Sequence, residues 1–461
     1  MIKKLITSAL AVTLAFLGWC AAPKYIFYYI GDGMGMGPAM AAELYNRSVL
    51  KSLEPITMMQ FPVAGVCMTY SASSPVTDSA AAGTALSTGV KTKNGMLGMN
   101  PDTVEVFSMA QVLKTDGYGV GVVTSVAPDD ATPGAFYAHV PNRSMYYEIG
   151  VQAAESGFEF LAGAGLRGEK DKSGKPTDLL EIMAQNGVEV VRGAKELESA
   201  TSERILLLNN AGTPNYNIGY TIDSIPDVLT LPLITQSCLD HLLKVSPDRF
   251  FMMVEGGNID HALHANDGGA AIKETLNFNE ALAIAYEFYK QHPDETLIVV
   301  TADHDTAGMT VGSQFTGYNS NVGLIDYQKS SKETFQNYCH AILQSRRIYT
   351  WDDMKEYLSH TFGFWSRIPL TEAQDESLHE KFESTFQLRN SEDQHTLYAN
   401  FNAFAVEVFK ILNDQAGIGF VSTVHTGNPV PVYAVGVDAQ RFSSLNDNVD
   451  IPRIILEIAR Q

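Results

Sequence analysis

The chain is poor in positive charge. Its 32 lysines and arginines stand against 52 aspartates and glutamates, so the formal net charge at pH 7 is −20. Nucleic acids and anionic lipid surfaces are bound through basic patches, and this charge balance argues against both as partners. Bound divalent cations would neutralise part of the acidic excess.

Cysteine and long apolar runs are also scarce. The 461 residues include four cysteines, and none of them has the CxxC spacing of a zinc or redox motif. Cys67 and Cys238 are expected to be buried thiols, whereas the pairing of these two with Cys339 is left open. Beyond residue 22 no stretch is long and apolar enough to cross a bilayer.

Residues 1–22 have the organisation of an export signal. Two lysines precede an apolar run over 5–17, and small residues follow it. Cys20 would permit a lipid anchor, but Trp19 is a poor neighbour for a lipidated cysteine. The mature protein is therefore expected in the periplasm or outside the cell, without a membrane span, and the cleavage position is left open.

Short apolar runs alternate with helical patterns from residue 24 to about residue 308. The runs at 25–30, 119–124, 250–254 and 297–300 are typical of buried strands, and helical patterns occupy 104–115, 148–156, 177–186, 232–245 and 271–291. This alternation predicts an α/β fold with a doubly wound, mostly parallel sheet flanked by helices. In such sheets ligands bind at the carboxyl ends of the strands, where several polar residues of this chain follow.

The segment 311–415 differs from the rest of the chain, because it lacks strong strand patterns and is richer in charge and aromatic residues. Thr350 has the position of a helix N-cap, with Asp352 and Asp353 in the first turn. We predict a mainly helical insertion here, so that residues 23–310 and 416–461 form one α/β domain. The chain is expected to rejoin the main sheet at 419–423, and residues 167–176 are expected to form a charged surface loop.

Ser79 is the candidate nucleophile. It follows Asp78 and precedes small, helix-compatible residues, which predicts a hydroxyl at a helix N-terminus, where backbone N–H groups favour an anion. A simple Thr-Asp-Ser helix cap is the alternative interpretation. No Gly-x-Ser-x-Gly elbow is present, so a metal rather than a histidine would have to activate this serine.

The stretch 255–264 has the most unusual composition of the chain. Glu255, Asp260, His261 and His264 follow directly after an apolar strand, and Asp260 and His264 are spaced i, i+4 on one helix face. This set suits a zinc site, since histidine and carboxylate are common zinc ligands. A solvated acidic loop is the alternative interpretation.

Taken in order along the chain, the polar motifs resemble those of the alkaline phosphatase family. They are Asp-Gly-Met-Gly at 32–35, Thr-Asp-Ser-Ala at 77–80, Ala-Thr-Pro at 131–133 with Arg143, Val-Glu-Gly at 254–256 with Asp260 and His264, Thr-Ala-Asp-His at 301–304, and His-Thr-Gly at 425–427. The resemblance covers roughly residues 24–310 and 418–460. It implies that residues 23–310 and 416–461 form the catalytic domain and that the segment 311–415 is crown-like, in the place of the family's variable crown. Each motif is weak by itself, but the ordered set is highly specific.

The resemblance implies a centre of two zinc ions and one magnesium ion. The first zinc ion would be held by Asp260, His264 and His425. The second would be held by Asp32, Asp303 and His304, with Ser79 as its exchangeable ligand. Magnesium would be held by Asp32, Thr132 and Glu255, an all-oxygen set of the kind that this ion prefers.

Three further residues would bind the phosphate, according to the resemblance. Arg143 would place its guanidinium against two phosphate oxygens. Asp130 and His261 flank the magnesium site at two positions where the family varies, and this Asp/His combination mixes the options of different branches. His261 would hold the phosphate dianion when protonated, and we expect its neutral form to dominate at alkaline pH.

The implied activity is hydrolysis of small phosphate monoesters at alkaline pH through a phosphoserine on Ser79. Two alternatives stay open. One is a phosphodiesterase or sulfatase of the same superfamily, which would not need the magnesium pair Thr132 and Glu255 beside Arg143. The other is a catalytically inactive scaffold that binds phosphate or metal. A homodimer is compatible with the resemblance, but the sequence does not determine the oligomeric state.

Overall fold

The computed structural model describes residues 22–210, 216–345, 348–390 and 393–461. The predicted export signal, including Cys20, therefore lies outside the described residues except for Ala22. No helix of the described ranges is long and apolar enough to span a membrane.

Ten strands form the main sheet. Along the chain they are β1 (Tyr25–Gly31), β2 (Val63–Met68), β3 (Gly119–Thr124), β4 (Phe160–Gly163), β5 (Glu189–Arg192), β6 (Ile205–Leu208), β7 (Phe250–Glu255), β8 (Thr296–Ala302), β9 (Val430–Gly436) and β10 (Leu445–Asp447). Their spatial order is β10-β2-β9-β8-β1-β7-β3-β4-β6-β5. Only β9 runs antiparallel to its two neighbours within this sheet. The predicted mostly parallel α/β sheet is confirmed.

Helices flank this sheet and fill the segment before β9. They are α1 (Met36–Ser48), α2 (Ser79–Thr88), α3 (Met109–Thr115), α4 (Ala131–Gly134), α5 (Tyr146–Glu155), α6 (Leu179–Gln185), α7 (Gly193–Leu197), α8 (Leu231–Val245), α9 (Asn258–His264), α10 (Gly268–Gln291), α11 (Lys332–Gln344), α12 (Trp351–Phe362), α13 (Glu372–Phe382), α14 (Ala403–Ala416) and α15 (Asp450–Ala459). The helix predicted from residue 104 is shorter than expected. It begins at Met109, because Ser108 and Gln111 form a capping box.

The central strands lie in the middle of the core. Every residue of β1, β3, β7 and β8 is buried, which explains why these strands are continuous apolar runs instead of alternating patterns. Cys67, Cys238 and Cys339 are buried free thiols in the described part of the chain. This agrees with the expectation for the first two.

A second hydrophobic cluster lies within the predicted insertion. It includes Phe335 of α11, Met354 and Leu358 of α12, and Phe404 of α14, and it is separate from the cluster around the main sheet. Thr350 caps α12 through a capping box with Asp353, as the sequence indicates. The division of the chain at 311 and 415 stays a prediction, and this second core is the feature that supports it.

The prediction that the chain rejoins the main sheet at 419–423 is wrong. Ile418–Gly419 pairs with Thr310–Val311 in a separate two-stranded ladder. His425–Thr426 then pairs with Asp305–Thr306 in another, and the chain enters the main sheet at β9. Strands of two residues are too short to leave an alternating pattern in the sequence. These ladders join the two ends of the insertion and bring His425 close to the end of β8.

Candidate metal centre

The parallel strands β1, β7, β8 and β3 end level with one another. Ile30 of β1 pairs with Glu255 of β7 and with Thr301 of β8, and Thr124 of β3 also pairs with Glu255. The polar residues that follow these strands therefore emerge at one edge of the sheet, as expected for a doubly wound fold.

Gly33 allows two of these strand ends to approach closely. Its φ of 68° lies in the left-handed region, and its N–H donates to Oδ1 of Asp303 over 3.0 Å. A Cβ atom here would lie 2.7 Å from Oγ1 of Thr306 and 2.8 Å from Oδ1 of Asp260. Glycine is therefore required both by the backbone conformation and by the space.

Two histidines are oriented by backbone carbonyls. Nδ1 of His264 donates to the carbonyl oxygen of Thr423 over 2.6 Å, and Nδ1 of His425 donates to that of Thr77 over 2.9 Å. These bonds leave Nε2 of each ring available as a lone-pair donor. The two Nε2 atoms are 3.1 Å apart, a separation that suits two ligands of one cation.

Asp260 completes this first group of ligand atoms. Its Oδ2 lies 3.4 Å from Nε2 of His264, and its Oδ1 lies 3.8 Å from Nε2 of His425. Burial raises the pKa of this carboxyl, but His264, His425 and His304 together lower it well below its ordinary value. Asp260 is therefore ionised and available to a metal ion.

A second group surrounds Nε2 of His304. This atom is 3.4 Å from Oδ1 of Asp32, 3.2 Å from Oδ2 of Asp303 and 3.3 Å from Oγ of Ser79. Burial raises the pKa of Asp303 to about 7 and that of Asp32 well above its ordinary value. Two buried carboxylates so close together are unfavourable unless a positive charge is bound between them.

A third group has oxygen ligands alone. Glu255 is fully buried and accepts a hydrogen bond from Thr124. Burial, together with the charges of Asp130 and Asp303, raises the pKa of Glu255 to about 8. Thr132 is buried in the first turn of α4, after the end of β3.

The donor atoms of these groups fit divalent cations. Oδ1 of Asp32, Oγ1 of Thr132 and Oδ2 of Asp303 are buried and have no hydrogen-bond partner among the described residues. Such atoms are costly in a folded protein unless a ligand satisfies them. Two sets of three residues could each hold one metal ion, because the ligand atoms within each set lie within 4.8 Å of one another. The first set is Asp260, His304 and His425, and the second is Asp32, Asp303 and His304. A set of histidine nitrogens and carboxylate oxygens suits zinc, whereas a set of oxygen atoms alone suits magnesium.

Ser79 is the first residue of α2. The helix is capped by Asp78, whose Oδ1 accepts the N–H of Ala81 over 3.0 Å. The capping function therefore belongs to Asp78, and the hydroxyl of Ser79 is left facing His304. A buried hydroxyl at a helix N-terminus lies in a positive potential that favours an anion.

Arg143 is held between two carboxylates. Its Nη1 lies 3.5 Å from Oδ2 of Asp78, and its Nη2 lies 3.2 Å from Oδ1 of Asp130. Although burial lowers the pKa of Arg143, the charges of Asp130 and Asp78 raise it above its ordinary value. The guanidinium therefore keeps its positive charge beside Ser79's helix.

Sequence reasoning did not identify Arg167, which pairs with Asp130. Residues 167–176 were expected to be a surface loop, but the side chain of Arg167 is 17% exposed and its Nη2 lies 2.8 Å from Oδ2 of Asp130. Arg167 follows four residues after the end of β4. The rule that functional residues follow strand ends could have found it.

His261 contacts a second residue that the sequence missed. The rings of His261 and Tyr398 have centroids 3.8 Å apart, and the hydroxyl of Tyr398 donates to Oδ2 of Asp260 over 3.1 Å. Burial lowers the pKa of His261 to about 4, against the opposing charges of Asp260 and Asp130. Tyr398 comes from the predicted insertion, and no pattern around it indicates a functional residue.

Comparisons with known proteins agree with this geometry. The family model described as alkaline phosphatase matches residues 23–167 and 160–461. Alkaline phosphatase 4 of Bacillus subtilis is 28% identical over 95% of this chain and 89% of its own length. The crystal structure of a cold-active alkaline phosphatase from a psychrophilic Shewanella sp. has a TM-score of 0.79 at 26% identity, covering 95% of this chain and 100% of that chain. For the Thermus thermophilus alkaline phosphatase the TM-score is 0.78 at 26% identity, with 95% and 91% covered.

Proposed function

The chain belongs to the alkaline phosphatase family and is a phosphomonoester hydrolase, and we propose that it works through a phosphoserine on Ser79. One observation carries the proposal. The hydroxyl of Ser79 stands at a helix N-terminus, 3.3 Å from Nε2 of His304 and within a cluster of buried carboxylates. No histidine–carboxylate relay of the kind that activates serine in serine hydrolases is needed if cations are bound there.

We propose two zinc ions and one magnesium ion as the resident metals. The first zinc ion would be held by Asp260, His264 and His425, the second by Asp32, Asp303 and His304 beside Ser79, and magnesium by Asp32, Thr132 and Glu255. When bound, these ions would supply an activated oxygen nucleophile and stabilise negative charge on the reacting oxygens. The three unpartnered oxygens of Asp32, Thr132 and Asp303 support this assignment.

Ser79 carries the covalent chemistry in this proposal. Its Oγ loses its proton and attacks phosphorus, and the bond between phosphorus and the alcohol oxygen breaks. The departing alcohol oxygen takes up one proton, which balances the proton lost by Ser79. Water then cleaves the phosphoserine, so that inorganic phosphate leaves and Ser79 regains its hydroxyl. The positive end of α2 stabilises the negative charge near Ser79 throughout.

Arg143 and His261 contact the phosphoryl group in this proposal, and Asp130 takes part in phosphate binding by orienting Arg143. The guanidinium of Arg143 can meet two phosphoryl oxygens, and its contacts with Asp78 and Asp130 restrict its orientation. Its positive charge stabilises the charge that spreads over those oxygens in the transition state. The lowered pKa of His261 makes it a neutral hydrogen-bonding group rather than a cation.

An assay with three substrates tests the proposed function. We expect hydrolysis of an aryl phosphate, with much weaker action on an aryl phosphodiester and an aryl sulfate, and loss of all three activities after chelation. A preference for the diester or the sulfate would support the alternative enzymes of the same superfamily. Turnover that persists at full rate after exhaustive chelation would contradict the metal assignment.

We also propose that the protein is exported and forms a homodimer. The charged start and apolar run of residues 1–22 support export, and the family resemblance supports the dimer. Cell fractionation should recover the activity outside the cytoplasm. Light scattering after size-exclusion chromatography should give twice the mass of one mature chain, and a monomeric mass would contradict the dimer.

A further inference from the structure

Asp130 bridges two arginines. Its Oδ1 is 3.2 Å from Nη2 of Arg143, and its Oδ2 is 2.8 Å from Nη2 of Arg167. Each carboxylate oxygen therefore has its own guanidinium partner, and the closer of the two belongs to Arg167. An ion pair shared in this way divides the negative charge of Asp130 between two cations.

Contacts with neighbouring residues fix the position of Arg167. Both oxygens of Asp129 accept backbone N–H groups, from Arg167 over 2.9 Å and from Gly168 over 2.7 Å. The guanidinium carbon lies 5.2 Å from the ring centroid of Tyr146 and 4.8 Å from that of Tyr216. These contacts direct the side chain towards Asp130, away from solvent.

We propose that Arg167 is a positioning residue that sets the affinity of the site for phosphate. By pairing with Oδ2 of Asp130, it takes up part of that carboxylate's charge and so weakens the attraction between Asp130 and Arg143. The guanidinium of Arg143 can then bind phosphoryl oxygens more readily. Without Arg167, the full charge of Asp130 would act on Arg143 and on the phosphate dianion. This proposal rests on the proposed function, because it takes Arg143 as the residue that binds the phosphoryl group.

The test compares phosphate binding with turnover in the enzyme loaded with zinc and magnesium. For Arg167→Gln we expect the Kd of inorganic phosphate, measured by calorimetry, and the KM of an aryl phosphate to rise together by about 10-fold, a change of ~1.4 kcal/mol. The value of kcat should be unchanged or higher, since phosphate leaves more easily. Arg167→Lys keeps the charge and should recover part of the affinity.

Arg192→Gln is the matched control. It removes the ion pair of Arg192 with Glu169, at 2.7 Å, and Glu169 lies two residues after Arg167 in the chain. Phosphate affinity and KM should stay at the wild-type values in this variant. A Kd for phosphate that is unchanged in Arg167→Gln would overturn the proposal. A fall in kcat and in thermal stability with KM unchanged would also overturn it, because it would show a purely structural role.

A double-mutant cycle identifies the route through Asp130. In an Asp130→Asn background Arg143 is already released, so Arg167→Gln should weaken phosphate binding by less than about 3-fold. A 10-fold effect that persists in this background would show that Arg167 acts on phosphate by itself. Failure of the proposed function would look different, as wild-type enzyme that binds phosphate but does not hydrolyse the ester. Wild-type enzyme that binds no phosphate would contradict both.

Discussion

The proposed metal ligands at the strand ends and the helical insertion both contribute to the candidate metal centre, but they are built differently. Asp32, Glu255 and Asp303 lie at the ends of strands whose residues are buried throughout and whose ends are aligned by parallel pairing. His425 differs, because it lies in the two-residue ladder that follows the insertion. The insertion has a hydrophobic core of its own, and among its described residues Tyr398 contacts the site through its ring and its hydroxyl. The comparison suggests that the sheet determines the chemistry, while the insertion adjusts it from outside.

Buried polar contacts attach the insertion next to the metal ligands. Asp267, three residues after His264, accepts the N–H of Lys332 over 2.7 Å and the side-chain amide of Gln328 over 2.8 Å. The ammonium group of Lys332 donates to the carbonyl oxygen of Ala265 over 2.8 Å. These contacts fix the first residue of α11 against the C-terminal end of the helix that carries Asp260 and His264.

Removal of metal by chelation should have the largest effect on turnover. It acts on the proposed metal ligands and not on the core of the insertion. Exhaustive removal of metal should abolish turnover and lower the melting temperature, because Asp32, Asp303 and Asp260 are buried close together and would lose their counter-charges. Zinc plus magnesium should restore both. The measurements are aryl phosphate hydrolysis and thermal unfolding before and after reconstitution. Full activity with fewer than two zinc equivalents per chain would contradict the assignment.

Two histidine substitutions extend the comparison, one at a proposed metal ligand and one in the insertion. His425→Ala removes one of three protein ligands proposed for the first zinc ion, so kcat should fall by more than about 100-fold, and one zinc equivalent should be lost. His360→Ala is the control, because His360 is an exposed residue of α12 in the insertion. Metal analysis and kinetics on both variants decide the matter. Equal zinc content in the two variants would count against His425 as a ligand.

Removal of the Tyr398 hydroxyl tests how strongly the insertion influences catalysis. Tyr398→Phe keeps the ring against His261 but removes the hydrogen bond to Asp260. The value of kcat/KM should fall by about 10- to 100-fold, the effect of losing one hydrogen bond to a charged group. Tyr318→Phe, on a fully exposed residue of the same segment, should behave as wild type. If the two variants have the same kcat/KM, the insertion does not reach the chemistry.

The smallest effect on turnover is expected from the core of the insertion. Phe335→Ala removes a fully buried ring of the second cluster, which should cost about 3–5 kcal/mol of unfolding free energy. Zinc content and kcat at 25 °C should stay close to wild type, since the strand-end ligands do not belong to that cluster. Loss of zinc from the folded variant would show that the two regions are not separable.

The sequence predicted the sheet, and it also identified polar residues that the structure brings together at the strand ends, for one physical reason. Buried parallel strands are continuous apolar runs, so the residues that follow them, such as Asp32, Glu255 and Asp303, are easy to identify. The same reasoning missed Arg167 because the strand before it has four residues and the charged loop after it dominates the pattern. Tyr398 left no signal, because its place depends on tertiary packing of the insertion. The pairing at 418–419 was not predicted, because a strand of two residues is too short to show an alternating hydrophobic pattern in the sequence.

Acid quenching during turnover tests the central claim most directly. If Ser79 is the nucleophile, rapid quenching of the wild-type enzyme with a labelled aryl phosphate should trap phosphate on the peptide that contains Ser79. Ser79→Ala should trap none and should lose most of its kcat, although the metal centre could still support slow attack by water. Absence of phosphoserine in the wild-type enzyme, with kcat intact in Ser79→Ala, would contradict the account.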